Sequence, residues 1–240
     1  MRDIVRLGCG ITGMRALPKG SVDFVLSDLP SGETRARFDV KPDLASMWDA
    51  IWHAGKDGVV VALMASSLRF AAELIASSKW FRYDLIWSKS VATGYLNSKH
   101  RPLRSHEFIL VFSRVVGLYQ PQMLEGATPI HAARRKSHGE NYNGMTRSTE
   151  SRAGKTDRYP TSILEFASVG TSSKKRRHPQ QKPEPLLQWL IRTYSMPNEL
   201  VADLFAGSGS TGRAAHTENR RFIGWDNNPR FGGKSWVLSG

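Results

Sequence analysis

The chain has 240 residues, of which 40% are hydrophobic, a size and composition typical of one large α/β domain with a buried core. No apolar run approaches the length of a membrane span, and the segment from Met1 to Asp3 does not begin a signal peptide. We therefore expect a cytoplasmic protein without a membrane partner. Cys9 is the only cysteine, which excludes an intrachain disulfide, and no Cys/His cluster has zinc-ligand spacing, so no metal is expected.

The charge is strongly basic and unevenly distributed. There are 34 Lys and Arg residues against 21 Asp and Glu, a formal net charge of +13. From His131 to Lys182 the chain carries 12 basic and 4 acidic residues, a net charge of +8. Such a patch predicts a polyanionic partner, most simply nucleic acid. A solvated basic loop is the alternative that charge patterning leaves open.

Apolar runs of strand length alternate with segments of helical spacing along most of the chain. Strands are predicted over 4–7, 22–27, 58–64, 83–87, 108–112, 200–205 and 222–225, and helices over 12–17, 43–54 and 68–77. Residues 88–105 are predicted to form a polar loop, and Pro185 to begin a helix. Between 117 and 173 the periodicity fades, which predicts an inserted, loop-rich region. The alternation indicates an α/β sheet.

The segment from 201 to 226 has the order strand, glycine turn, helix, strand, acid. Its glycines, Gly207-x-Gly209-x-x-Gly212, allow a tight turn and a close approach to a ligand, and the helix that follows presents free N–H groups. Asp226 lies 19 residues after Gly207, near the usual offset of an acid that binds ribose hydroxyls. The pattern predicts an adenosine-type ligand. Only 14 residues follow Asp226, so we expect a sheet permuted relative to an ordinary NAD-binding fold.

Two further motifs stand earlier in the chain. Asp28-Leu29-Pro30-Ser31 follows a buried strand, at the position where open α/β sheets place their ligands. The sequence His-Pro-Gln-Gln-Lys-Pro at 178–183 precedes the helix predicted at Pro185.

In this order, the motifs at 28–31 and 178–183 and the run Asp-Leu-Phe-Ala-Gly-Ser-Gly at 203–209 resemble the β class of amino-methylating DNA methyltransferases. Those enzymes place an Asp-Pro-Pro-Tyr-type catalytic motif first, then a target-recognition region, then the S-adenosylmethionine loop. The resemblance covers nearly the whole chain. It implies a permuted Rossmann-like methyltransferase fold, with a mostly parallel twisted sheet, helices on both faces and an inserted loop-rich target-recognition region.

The resemblance also divides the chain and implies its partners. Residues 1–116 would be the catalytic half of the methyltransferase domain, 117–177 the target-recognition insertion, and 178–240 the cofactor-binding half. The cofactor would be S-adenosylmethionine and the substrate double-stranded DNA, in a bacterial or phage-encoded protein that could form a homodimer.

The same resemblance assigns roles to individual residues. Asp28 and the Leu29 carbonyl would hold both hydrogens of an exocyclic amine, with Pro30 fixing the turn. Cofactor binding would fall to ten residues: Cys9, Asp28, Lys182, Phe205, Gly207, Ser208, Gly209, Thr211, Trp225 and Asp226. DNA binding would fall to nine cations: Arg101, Arg104, Arg134, Arg135, Lys136, Lys174, Lys175, Arg176 and Arg177. Two of these residues could have a structural role instead of binding the cofactor. Lys182 could be a solvated lysine in a turn, and Trp225 could simply pack in the core.

Two positions depart from the family pattern. Ser31 stands where the family has an aromatic residue that stacks on the flipped base, so Phe38, Trp87 and Tyr95 become candidates for that ring. Cys9 stands where the family often has an acid that reaches the adenine of the cofactor.

The activity implied is methyl transfer from S-adenosylmethionine to adenine N6 in duplex DNA at a specific site, by base flipping. The same acceptor geometry suits cytosine N4. A second alternative is a DNA-binding relative without full catalytic activity, which the departures at Ser31 and Cys9 support. A third alternative is an RNA substrate, which the charge does not exclude.

Overall fold

The computed structural model describes residues 4–36, 39–126, 128–129, 154–170, 181–232 and 234–235. Residues 1–120 and 162–240 form one compact unit, and residues 121–161 form another. In the second unit, Leu124 and Arg158 pair in an antiparallel bridge, and the Arg158 guanidinium donates to the Thr128 carbonyl oxygen at 2.6 Å. No helix in these ranges is long and apolar enough to cross a membrane.

Within the described residues, the larger unit is built on one sheet of nine strands. They are β1 Ile4–Leu7, β2 Val22–Asp28, β3 Gly55–Ala65, β4 Phe81–Thr93, β5 Arg104–Phe112, β6 Ile163–Phe166, β7 Leu200–Asp203, β8 Arg221–Asp226 and β9 Lys234–Ser235. Their order in the sheet is β6-β4-β5-β3-β2-β7-β8-β1-β9. Five neighbouring pairs are parallel and three are antiparallel, β5 with β3, β5 with β4, and β9 with β1. The mostly parallel, permuted sheet predicted from the sequence is confirmed.

Helices cover both faces of this sheet. They are α1 Gly10–Arg15, α2 Leu44–Ala54, α3 Leu68–Ala76, α4 Glu184–Tyr194 and α5 Ser210–Thr217. The first three contribute to one buried cluster and the last two to another, so the core has two layers separated by the strands. Side chains cap the N-termini of α2 and α3. Asp43 accepts a hydrogen bond from the Ser46 N–H, and Ser67 accepts one from the Phe70 N–H, each at 3.1 Å.

The segment from 88 to 105 is a hairpin extension of β4 and β5, so the prediction of a polar loop was correct for 94–103 and wrong for 88–93 and 104–105, which are strand. Strand β4 continues to Thr93, where it pairs with Arg104 at the start of β5, and a short 3-10 helix, Tyr95–Asn97, lies in the turn. The extension leaves the core, so its strands lack the alternation of buried and exposed residues on which strand prediction depends. Strand β6, within the predicted 117–177 insertion, pairs with β4 at the edge of the main sheet.

The strand order brings motifs from distant parts of the chain to one edge. Strands β2, β7 and β8 are adjacent and parallel, so their carboxyl ends lie side by side. Each ends in an aspartate: Asp28, Asp203 and Asp226. The permuted order of the chain therefore places the first motif next to the last one.

Candidate active site

A cavity that is open to solvent lies at the carboxyl ends of β2, β7 and β8. It is lined by residues from both motif regions: Leu26, Ser27, Asp28, Leu29, Pro30, Met64, Gln181, Lys182, Leu187, Asp203, Phe205, Ala206, Gly207, Ser208, Ser210, Thr211, Asp226, Asn228 and Phe231. Nine of the predicted site residues are in this lining: Asp28, Leu29, Pro30, Lys182, Phe205, Gly207, Ser208, Thr211 and Asp226.

The glycine turn has the backbone that only glycine adopts readily. Gly207 has φ of 50° and Gly209 has φ of 74°, both in the left-handed region. A Cβ atom on Gly207 would meet no atom within 4 Å, so the space beside this residue is open. Gly209 caps α5 without a side-chain hydrogen bond to the first turn of the helix. The turn thus offers open space and helix N–H groups to a ligand.

Asp226 closes the opposite side of this turn. Its Oδ2 accepts the Gly207 N–H at 3.0 Å, and its Oδ1 accepts the Asn228 N–H at 2.7 Å. These two bonds fix the plane of the carboxylate at the end of β8. An acid so placed has lone pairs available for the hydroxyl groups of a ribose.

Asp203 joins the two motif regions inside the protein. Its Oδ1 accepts the Ser27 hydroxyl at 2.7 Å and the Phe205 N–H at 3.0 Å, and the residue is only 2% exposed. Burial raises the pKa of Asp203 to about 6, although its hydrogen bonds to Thr211 and Ser27 favour the charged form. The glycine turn and the end of β2 are therefore held together by one buried carboxylate.

Asp28 reaches the cavity from β2 and binds the lysine of the second motif. The Lys182 ammonium donates to Asp28 Oδ2 at 2.5 Å, and 32% of the Asp28 side chain remains exposed. Desolvation raises the pKa of Asp28, while the charge of Lys182 opposes that rise. Burial alone would lower the pKa of Lys182, but the carboxylates of Asp28 and Glu107 outweigh it and raise the pKa.

Two charged residues behind Lys182 were missed in the sequence. The Lys182 ammonium also lies 3.3 Å from Glu107 Oε2, and the Lys89 ammonium donates to Glu107 Oε1 at 3.2 Å. Burial alone would raise the pKa of Glu107, but the ammonium groups of Lys182 and Lys89 lower it. Glu107 directly precedes the strand predicted over 108–112, yet no spacing rule connects it with residue 28 or 182.

The loop that follows the first motif is organised by an aspartate. Asp39 accepts the N–H of Gly32 at 2.9 Å and that of Thr34 at 2.7 Å. Partial burial would raise the pKa of Asp39, but hydrogen bonds from Thr34, Gly32 and Ser31 lower it. Ser31 accepts the Glu33 N–H at 3.3 Å and is not part of the cavity lining.

Three other predicted cofactor residues lie outside the lining. Gly209 is at the start of α5, and Cys9 is exposed at the start of α1. Trp225 is 3% exposed in the core, and a Cβ on Gly13 would lie 2.0 Å from its indole Nε1. The indole therefore packs on α1, which is the alternative that the sequence left open for Trp225.

The candidate stacking rings also differ in their surroundings. Trp87 is 4% exposed, and its indole N–H donates to the Phe166 carbonyl oxygen at 2.8 Å. Tyr95 is 66% exposed on the hairpin extension, and Phe38 lies outside the described residues. Phe231 lines the cavity and was missed, because nothing in its sequence context marks it as a site residue.

Of the predicted DNA-binding cations, two fall in the described ranges. Arg101 is exposed near the end of the hairpin extension, and the Arg104 guanidinium donates to the Ser66 carbonyl oxygen. The others, at 134–136 and 174–177, lie outside the described residues.

The chain belongs to the DNA methylase family N6_N4_Mtase, whose pattern it matches over residues 43–232. S-adenosylmethionine is the cofactor of this family. The residues of the cavity fit it, because open space beside Gly207, the N-terminus of α5 and the Asp226 carboxylate converge there.

Individual relatives are distant from this chain. The Type II methyltransferase M.XycI of Xanthomonas campestris pv. cyanopsidis is 27% identical over 169 residues, which are 70% of this chain and 47% of that protein. The chain spans less than half the length of the curated relatives it matches.

Two solved structures share the fold. PvuII DNA methyltransferase (cytosine-N4-specific) aligns with a TM-score of 0.64 at 15% identity, over 96% of this chain and 84% of that one. The M1.HpyAVI–SAM complex aligns with a TM-score of 0.60 at 17% identity, over 95% of this chain and 94% of the other. The permuted methyltransferase fold expected from the motifs is thereby confirmed.

Proposed function

We propose that this chain transfers a methyl group from S-adenosylmethionine to the N6 amine of adenine in duplex DNA. The observation that carries the proposal is a single cavity that holds the glycine turn and Asp226 on one side and the Asp28 carboxylate on the other. Either side alone would suit many ligands. Together they suit a reaction between a nucleoside-type cofactor and an acceptor that hydrogen-bonds to a carboxylate.

The amine to be methylated is a poor nucleophile, because its lone pair is delocalised into the base. An acceptor for each of its two hydrogens holds them out of the ring plane and localises that lone pair. Asp28 supplies one acceptor, and the carbonyl of Leu29, which also lines the cavity, supplies the other. The negative charge of Asp28 also stabilises the positive charge that develops on the amine nitrogen as the new bond forms.

When bound, S-adenosylmethionine supplies an electrophilic methyl group. The task of the protein is then to place the amine in line with it. The amine loses one proton after transfer, and the open cavity gives that proton access to water.

A base inside a duplex cannot reach this cavity and has to be flipped out of the stack. Residues 117–177 are proposed as the target-recognition region, with the cations at 134–136 and 174–177 on the DNA phosphates. The hairpin extension adds Lys99 and Arg101, and no acid occurs between Asp84 and Glu107. Of the two candidate rings within the described residues, Trp87 is buried and Tyr95 is exposed, so Tyr95 is proposed to stack on the flipped base.

Adenine N6 is favoured over cytosine N4 because Asp28 at the head of the motif resembles the adenine-modifying members of the family, whereas many cytosine-N4 enzymes carry Ser there. The Asp28 carboxylate also accepts a stronger, charge-assisted hydrogen bond from an amine than a neutral hydroxyl would. Cytosine N4 is retained as the second candidate, because the same pair of acceptors suits both amines.

The proposal is tested by mass spectrometry of nucleosides from unmethylated genomic DNA treated with the protein and S-adenosylmethionine. We expect N6-methyladenine. N4-methylcytosine would refute the target base, and unmodified DNA would refute the activity. Tyr95→Ala should lose activity strongly, since a base–aromatic stack is worth about 1–3 kcal/mol.

A further inference from the structure

Four charged side chains from four separate segments form one chain of contacts, which begins at Asp28 and Lys182 in the cavity lining. Lys182 Nζ is 2.5 Å from Asp28 Oδ2 and 3.3 Å from Glu107 Oε2, and Lys89 Nζ is 3.2 Å from Glu107 Oε1. The Lys89, Glu107 and Lys182 side chains are only 6%, 14% and 10% exposed. Ion pairs elsewhere differ, since Lys41 and Glu73 are 43% and 42% exposed.

Burying charged side chains this deeply is unfavourable unless other interactions replace the hydration that they lose. Each buried ion loses hydration worth several kcal/mol, which pairing recovers only when the geometry is good. Here two ammonium groups alternate with two carboxylates, so the cluster is neutral as a whole. Both oxygens of the Glu107 carboxylate face an ammonium group, because Oε2 lies 3.3 Å from Lys182 Nζ and Oε1 accepts from Lys89 Nζ at 3.2 Å.

The arrangement fixes which oxygen of Asp28 is available. Lys182 occupies Oδ2, and no hydrogen-bond donor in the described residues contacts Oδ1. Glu107 Oε2 lies 3.3 Å from the same ammonium. The ammonium is therefore held by two carboxylates, and Glu107 is its second anchor.

We propose that Glu107 is a positioning residue, which anchors Lys182 on Oδ2 of Asp28 so that Oδ1 stays free to accept a hydrogen of the substrate amine. Lys89 balances the charge of Glu107 in the buried cluster. This inference rests on the proposed function for the identity of the acceptor, but the contacts themselves belong to the free protein.

The test compares Glu107→Gln with the wild type. Glutamine keeps the size of the side chain but removes its charge, so Lys182 loses its second anchor. We expect kcat for methylation of unmethylated genomic DNA to fall about 10- to 100-fold, the scale of a misplaced reacting group. The KM for DNA and the affinity for S-adenosylmethionine, measured by calorimetry, should change less than about threefold. Glu73→Gln, from the exposed pair, is the matched control and should retain wild-type kcat.

A double variant separates positioning from charge balance. Glu107→Gln leaves the Lys89 ammonium buried without its partner, which lowers the melting temperature. Glu107→Gln with Lys89→Gln removes that charge, so the melting temperature should return towards wild type while kcat stays low. If kcat recovers together with the melting temperature, Glu107 serves only the charge balance and the inference is wrong.

A titration of the free protein keeps the inference testable even if DNA is not the substrate. Four charged groups act on Asp28 from the surrounding elements: Lys182 before α4, Glu107 on β5, Asp39 on the loop after β2, and Asp203 on β7. Glu107→Gln removes one negative charge near Asp28, which by itself would lower the pKa of Asp28. Loss of the Lys182 anchor acts the other way and more strongly, because the Lys182 ammonium affects the pKa of Asp28 more than the Glu107 carboxylate does. The pH at which the carbon-13 signal of the Asp28 carboxyl titrates should therefore rise, and the acid limb of the pH–rate profile should move the same way, whereas a fall would show that Lys182 stays on Asp28 without Glu107 and would refute the inference.

The outcomes for the two proposals are distinguishable. Wild-type protein that does not methylate DNA refutes the proposed function, while the carboxyl titration still decides on Glu107. Active wild-type protein with an unchanged kcat and an unchanged Asp28 titration in Glu107→Gln refutes the positioning role alone.

Discussion

The two sides of the cavity differ in how they are built. The cofactor side, from Asp203 to Asp226, is one continuous strand–turn–helix–strand segment. The amine side takes Asp28 from β2, Lys89 from β4, Glu107 from β5 and Lys182 from the segment before α4. The first side is specified by local spacing. The second exists only after the sheet has formed, because its charges meet across four separate segments.

The largest expected effect lies on the amine side. Asp28→Ala removes the acceptor for the amine, and loss of one preorganised electrostatic contact typically costs about 10²–10³ in kcat. Asp49→Ala, at an exposed acid, is the control. Transfer of a labelled methyl group measures activity, and calorimetry measures cofactor affinity, which should largely survive. Equal loss of binding and activity would place Asp28 on the cofactor side instead.

The second-largest effect is expected at Asp203, which lies where the two sides of the cavity meet. The pKa of Asp203 in the folded protein is about 6, above the ordinary value of 3.8. The protonated Asp203 therefore stabilises the folded state fully below pH 3.8, and this stabilisation is lost as the pH rises through 6. The free energy of unfolding should change by about 3 kcal/mol between these limits. Asp203→Asn should therefore be more stable relative to wild type at pH 8 than at pH 4. Denaturant unfolding of both proteins at the two values measures it, and a pH-independent difference would contradict the buried, raised carboxyl.

A smaller effect is expected on the cofactor side. Gly207→Val forces a β-branched residue into a positive φ and fills the open space beside the turn, with a strain of about 1–3 kcal/mol. We expect at least about tenfold weaker binding of S-adenosylmethionine by calorimetry. Gly20→Val is the matched control, because Gly20 has φ of 67° and equally open surroundings in a turn before β2. Unchanged affinity in Gly207→Val would remove this turn from the site.

The smallest effect concerns the hairpin extension beyond the amine side. Neutralising Arg101 with glutamine should weaken binding to duplex DNA of any sequence and reduce the slope of log affinity against log salt by about 1. Fluorescence anisotropy at several salt concentrations measures the slope. Lys19→Gln, in the turn before β2, should leave it unchanged. Equal slopes for wild type and Arg101→Gln would assign Arg101 to a solvated surface.

The contrast between the sides also explains how far the sequence could predict the molecule. The order of strands and helices and the glycine turn follow from local periodicity and spacing, and the fold was predicted correctly. The strand ends of the hairpin extension were missed because they carry no run of buried apolar residues, and Val91 in β4 is 55% exposed. The role of Glu107 was missed for another reason, since its partners lie 18 and 75 residues away in the chain. For Trp225 the sequence left core packing and a place beside the adenine open, and the structure shows its indole packed close to Gly13.

Methylome sequencing of DNA from cells that express the chain tests the central claim most directly, since it reports activity, base and sequence context together. Cells expressing wild-type protein should carry N6-methyladenine at one short recurring sequence, and cells expressing Asp28→Ala should lack it. Methylated cytosine in its place, or the same methyladenine pattern in both, would contradict an adenine-N6 methyltransferase that works through Asp28.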